Sequence, residues 1–136
     1  MFARSKLLSA TLPLVTRMFL RGLAGCETVA KTASAERIMD AGPASGFSND
    51  GVYAGFRDQG FFVIRRGEEL LALSALCTHR KCRLSSEADR SFYCKCHGSA
   101  FDPNGKVTDG PAQRDLPILS TVTNEKGHLL VRVPIA

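Results

Sequence analysis

The residues able to do chemistry are concentrated in one stretch. Four of the five cysteines and two of the three histidines lie between Cys77 and His97. They form two boxes, Cys77-Thr78-His79-Arg80-Lys81-Cys82 and Cys94-Lys95-Cys96-His97-Gly98-Ser99. Each box pairs a cysteine with a histidine two or three positions on, and 14 residues separate His79 from Cys94. Thiolate sulfur and imidazole nitrogen both bind borderline and soft metals, so C-x-H-x14-C-x-x-H reads as a metal-binding pattern. Two chemistries fit it: a tetrahedral Cys2His2 zinc site, or an iron–sulfur centre with mixed ligands. The extra cysteines, Cys82 and Cys96, and strands rather than a helix around the second box weigh against zinc. A mononuclear iron oxygenase site would need two further histidines and a carboxylate, and only His128 remains outside the boxes. That chemistry is not expected.

The elements that must position these boxes read as short strands from Gly51 onward. Phe61-Phe62-Val63-Ile64 and Leu70-Leu71-Ala72-Leu73 are apolar runs separated by Arg65-Arg66-Gly67-Glu68, the pattern of a hairpin. Further strands are expected around Ser91–Cys94, Ser99–Asp102, Ile118–Thr123 and Leu129–Val133, with a turn at Pro103-Asn104-Gly105. Residues 27–50 are poor in large apolar side chains and read as a linker, with one weak helix over Thr28 to Met39 stopped by Gly42-Pro43. The folded part is therefore 51–136, small enough to gain much from a covalent staple or a metal.

The two boxes, Gly98-Ser99 and the downstream Gly110-Pro111-Ala112 together resemble the Rieske iron–sulfur family from about Gly51 to the end. The resemblance implies an all-β fold, an antiparallel sandwich or barrel base carrying a small cluster-binding subdomain. It implies one 2Fe–2S cluster per chain, with Cys77 and Cys94 on one iron and His79 and His97 on the other. With two neutral histidines the oxidised centre carries no net charge, whereas four thiolates would make it two units more negative. An electron is added more easily, and such centres as a class span about −150 to +300 mV. Cys82 and Cys96 would pair as a disulfide, which is typical of the high-potential branch found in cytochrome bc-type complexes and arsenite oxidase small subunits. Ser99 would donate to a bridging sulfide, and Gly110-Pro111-Ala112 would form a loop covering the cluster. Phe101 stands where high-potential members often carry Tyr, so one hydroxyl donor is missing and the potential is expected below the top of the range. Arg80 and Lys81 depart from the family's apolar residue and Gly, and suit an acidic protein or an anion better than a quinone.

The implied function is one-electron, proton-coupled transfer by a carrier or an oxidoreductase subunit rather than a stand-alone enzyme. The expected partners are redox proteins, such as a cytochrome or a quinone-linked complex. A ferredoxin serving an oxygenase and a zinc module stand as alternatives. The chain carries 18 basic and 13 acidic side chains, a net charge of +5 over 136 residues. Residues 1–31 alone hold Arg4, Lys6, Arg17, Arg21 and Lys31 against Glu27. No dense basic run with interleaved aromatics follows, so no nucleic-acid surface is expected. Residues 1–26 join a basic start to an apolar middle and end in Leu23-Ala24-Gly25-Cys26, like a lipoprotein signal, though Arg17 and Arg21 interrupt it. The expectation is an anchor or targeting segment and an extracytoplasmic, periplasmic-side domain; an unprocessed N-terminal extension is the alternative.

Overall fold

The computed structural model describes residues 34–135. Eleven strands follow in chain order: β1 (Glu36–Pro43), β2 (Gly51–Tyr53), β3 (Phe61–Arg66), β4 (Glu69–Ser74), β5 (Ser85–Ser86), β6 (Phe92–Tyr93), β7 (Ala100–Phe101), β8 (Val107–Asp109), β9 (Ile118–Leu119), β10 (Thr121–Thr123) and β11 (His128–Pro134). They make three antiparallel sheets, ordered β1-β11-β10, β2-β3-β4-β9 and β5-β6-β7-β8. The fold is all-β.

β3 explains the stacking. All four residues of its apolar run are buried, Phe61, Phe62, Val63 and Ile64, because both faces of the strand are covered. Phe61 and Val63 pack with Leu129, Val131 and Val133 of the β1-β11-β10 sheet. Phe62 and Ile64 point the other way, into a core shared with Leu84, Phe92 and Phe101. Successive side chains of a strand alternate in direction, so one hydrophobic run serves two cores. The second core includes Cys77 and Cys94 and is therefore continuous with the chemical site. Fully burying a side chain such as Phe62 stabilises by about 1.5–3 kcal/mol, so the site rests on a firm floor.

Three expectations are corrected. The linker expected over 27–50 ends earlier, because Glu36–Pro43 forms β1, paired along its length with β11. The helix expected to reach Met39 is likewise absent from residues 36–39. β1 buries only Ala41 fully, and its backbone bonding to β11 rather than an apolar pattern holds it in place. The folded unit consequently starts before Gly51. Finally, the single strand expected over Ile118–Thr123 breaks at Ser120: β9 pairs with β4, and β10 crosses to pair with β11. The signal-like segment 1–26, including Cys26, lies outside the described residues, as do Thr28 to Ala33.

Candidate metal centre

Two loops carry the boxes, one between β4 and β5 and one between β6 and β7. They repeat the same turn. In the first, Cys77 N–H donates to Cys82 O (2.8 Å) and Lys81 N–H donates back to Cys77 O (2.9 Å). In the second, Cys94 N–H donates to Ser99 O (2.8 Å) and Gly98 N–H donates to Cys94 O (2.9 Å). The fifth residue of each turn has a left-handed backbone, Gly98 at φ +80° and Lys81 at φ +64°. Glycine meets that demand without penalty; a lysine there costs roughly 1 kcal/mol.

The loops are joined by the Cys82–Cys96 disulfide, with the Cα atoms 6.5 Å apart. Cys77 and Cys94 remain free thiols, and both are buried. The sulfur of Cys94 lies within 4.8 Å of the Cys82 and Cys96 sulfurs, but the disulfide consumes two of that trio as ligands. The free donors are thus one cysteine from each loop. The two histidines of the boxes are neighbours of each other, their ring centroids 4.8 Å apart and their planes nearly perpendicular at 89°. His79 Nδ1 is buried with no hydrogen-bond partner. An imidazole nitrogen left so would cost about 1–3 kcal/mol, a cost that a metal ligand bond removes. Two buried thiols with two imidazoles make a donor set that fits an iron centre with mixed sulfur and nitrogen ligation.

A third segment closes over the loops. Ser99 is fully buried, and its Oγ accepts the Ala112 N–H at 3.1 Å, leaving its own proton for a second partner. Gly110 sits at φ +88°, and a Cβ there would lie 2.5 Å from Ser99 Cα and 2.7 Å from Gly98 O. Only glycine lets the 110–112 backbone press this closely on the second box. Thr78 Oγ1 donates to Arg114 O at 2.6 Å, tying the first box to the same segment. From the base, Arg57 Nε donates to Leu84 O and holds the exit of the first loop.

Of the residues singled out from sequence in the two boxes, Cys82 and Cys96 are bonded to each other and the His79 and His97 rings are neighbours. Cys77 and Cys94 are buried in one core, and Ser99 is buried in the second turn. Phe101 is fully buried and pairs with Phe92 across β6–β7. Sequence reading missed Arg57, whose role depends on a partner 27 positions away. It also missed the tie from Thr78 to Arg114, though a hydroxyl residue inside the first box was a signal for it. His128 lies away from the boxes, donating from Nδ1 to Asp40 at 2.9 Å.

Comparison with known proteins agrees with the geometry. Residues 39–121 match the family model of the Rieske 2Fe–2S domain. The chain is similar to the cytochrome b6-f complex iron-sulfur subunit of Chlorobaculum tepidum, 36% identical over 95 residues, covering 68% of this chain and 51% of that protein. It is similar to the subunit of the same name from Synechococcus sp. (strain JA-3-3Ab), 34% identical over 100 residues, covering 72% of this chain and 51% of the relative. The chain thus spans about half the length of these curated relatives. Among solved structures, the cyanobacterial plasma membrane Rieske protein PetC3 from Synechocystis PCC 6803 matches with a TM-score of 0.53 and 31% identity. That match covers 68% of this chain and 97% of the other.

Proposed function

We propose, for a chain that belongs to the Rieske 2Fe–2S domain family, the function of a one-electron carrier whose cluster is held by Cys77, Cys94, His79 and His97. When bound, the cluster supplies a one-electron couple raised by its two neutral ligands. The chain's own residues do the rest. Cys77 and Cys94 bind as thiolates from a buried floor, where Leu84, Phe92 and Phe101 exclude water. His79 binds through the buried Nδ1, and His97 through one ring nitrogen; the second nitrogen of each ring holds a proton that can leave when the electron does. Ser99 directs its hydroxyl proton toward the cluster while Ala112 N–H fixes the oxygen. The disulfide keeps the two loops in register.

One observation carries this reading. Two equivalent turns each bury an unbridged thiol, Cys77 and Cys94, and two residues after Cys77 the His79 Nδ1 is buried with no partner.

The natural setting proposed is a redox complex on the extracytoplasmic side of a membrane, reached through the N-terminal segment. A structural disulfide supports an oxidising compartment. Relatives named as subunits of the cytochrome b6-f complex support a partner complex. The basic residues Arg80 and Lys81 on the first box favour a charged protein partner over an apolar quinone pocket.

A redox titration followed by visible absorption tests the proposal. The purified holoprotein should bleach in a single one-electron step, within the range of such centres and below its upper end. A colourless protein with no redox-dependent absorption would contradict it.

A further inference from the structure

A groove of about 800 Å³ runs along the disulfide side of the domain. Its lining brings together three stretches distant in sequence: Arg37 of β1, Arg57 and Asp58 before β3, and Lys81, Arg83 and Lys95 from the two cluster loops. Cys82 and Cys96 form part of its wall, whereas neither His79 nor His97 lines it. Five cations face a single carboxylate. Asp58 lies 3.7 Å from Arg57 and 3.8 Å from Arg83, so it is shared between two of them. Arg37 spends one nitrogen on the Gln59 carbonyl, a neutral partner. Among the described residues, Lys81 and Lys95 have no acidic side chain within 4.0 Å. Concentrating like charge costs free energy through repulsion, and an opposite charge docked there would relieve it.

We infer that this groove is the docking site of an acidic partner protein, bound beside the disulfide and leaving the histidine side of the cluster free. The inference rests on the electron-carrier reading for the partner's purpose, but its geometry is independent of that reading. Charge selects the occupant. Residues 1–31 of this chain are themselves basic, and so is the chain as a whole, so neither its own N-terminal segment nor a second copy complements the groove. A membrane surface is flat on this scale and would touch the rim cations without filling the groove. An acidic protein segment can do both, and it would come to rest against Lys95, the neighbour of Cys94.

The test uses the whole chain as purified, its visible absorption recorded in parallel, with a fluorescently labelled oligoglutamate peptide as probe. Binding is read by anisotropy at low salt. The double substitution Arg37→Gln with Lys95→Gln should weaken binding about tenfold, as expected when two exposed charge contacts are lost. Lys126→Gln, at the opposite end of β11, should change it less than about twofold. Added salt should weaken wild-type binding far more than that of the double variant. Equal losses in the groove and control variants, or no measurable binding, would overturn the inference. So would loss of binding to phosphatidylglycerol vesicles in the groove variant with peptide binding unchanged, which would assign the patch to a membrane. A protein that binds the peptide at the groove yet shows no redox-active absorption would instead contradict the electron-carrier reading and leave the docking site standing.

Discussion

At the scale of single residues, hydrogen bonds and burial set the properties of the centre. Phe101 is fully buried on the floor of the site. Phe101→Tyr adds a hydroxyl that must find an acceptor there, and a ligand thiolate is the acceptor the family resemblance supplies. A donor to sulfur favours the reduced, more negative cluster. About 1 kcal/mol of difference between redox states corresponds to roughly 40 mV for a one-electron couple. The midpoint potential should rise by that order in a redox titration. An unchanged potential with stability lowered by about 1–3 kcal/mol would mean that the hydroxyl is merely buried unpaired. A second residue-scale effect lies away from the centre. The Asp40 carboxyl is held below its usual 3.8 by the hydrogen bond from His128, and next by the Gly42 N–H. A depressed carboxyl stabilises the fold above its unfolded value and loses that contribution as pH falls through the folded one. Urea denaturation between about pH 5 and about pH 3 should therefore show a steeper acid loss for the wild type than for His128→Ala. Parallel pH profiles would refute the assignment.

At the scale of elements, the two ligand loops are one turn used twice, and the asymmetry between them is informative. The left-handed position is glycine in the second loop and Lys81 in the first. Lys81→Gly should stabilise the holoprotein by roughly 0.5–1 kcal/mol in chemical denaturation, since the backbone penalty exceeds the entropy that glycine adds to the unfolded chain. A destabilised variant would mean that the lysine side chain contributes a compensating contact. How far these elements were legible in sequence varied with the physics behind each. β3 and β4 were legible because burial on both faces leaves an unbroken apolar run. The Rieske family was legible in the two Cys/His boxes, because few residue types bind metals and their spacing is restricted. β1 was not, since a strand held by backbone pairing with β11 needs little apolar side chain. The break at Ser120 was hidden because β9 and β10 are individually ordinary and only their different partners reveal it. The bond from Ser99 to the Ala112 N–H was equally silent, because it joins residues 13 apart through a loop whose path the sequence does not declare.

At the scale of the whole molecule, a small domain builds two cores from one central strand and uses one of them as the floor of its redox site. A thin core of this kind leans on the Cys82–Cys96 bond, which closes 14 residues and is worth about 3 kcal/mol by chain entropy alone. Alkylation without reductant should leave Cys82 and Cys96 unlabelled even after the holoprotein is denatured, while Cys77 and Cys94 become labelled. Labelling of all four would place the protein among reduced, disulfide-free relatives and would weaken the case for an oxidising compartment. The groove beside that bond appears only at this scale, because its charges come from segments far apart in the chain.

What the four proposed donors hold decides the chemistry of this domain. Iron, zinc and acid-labile sulfide should be measured together on the purified protein and on Cys77→Ser and His79→Ala variants. About two irons and two sulfides per chain are expected in the wild type, with both largely lost from each variant while the β fold persists by circular dichroism. One zinc per chain with no labile sulfide would contradict it, and would make the site a structural tetrahedral centre instead.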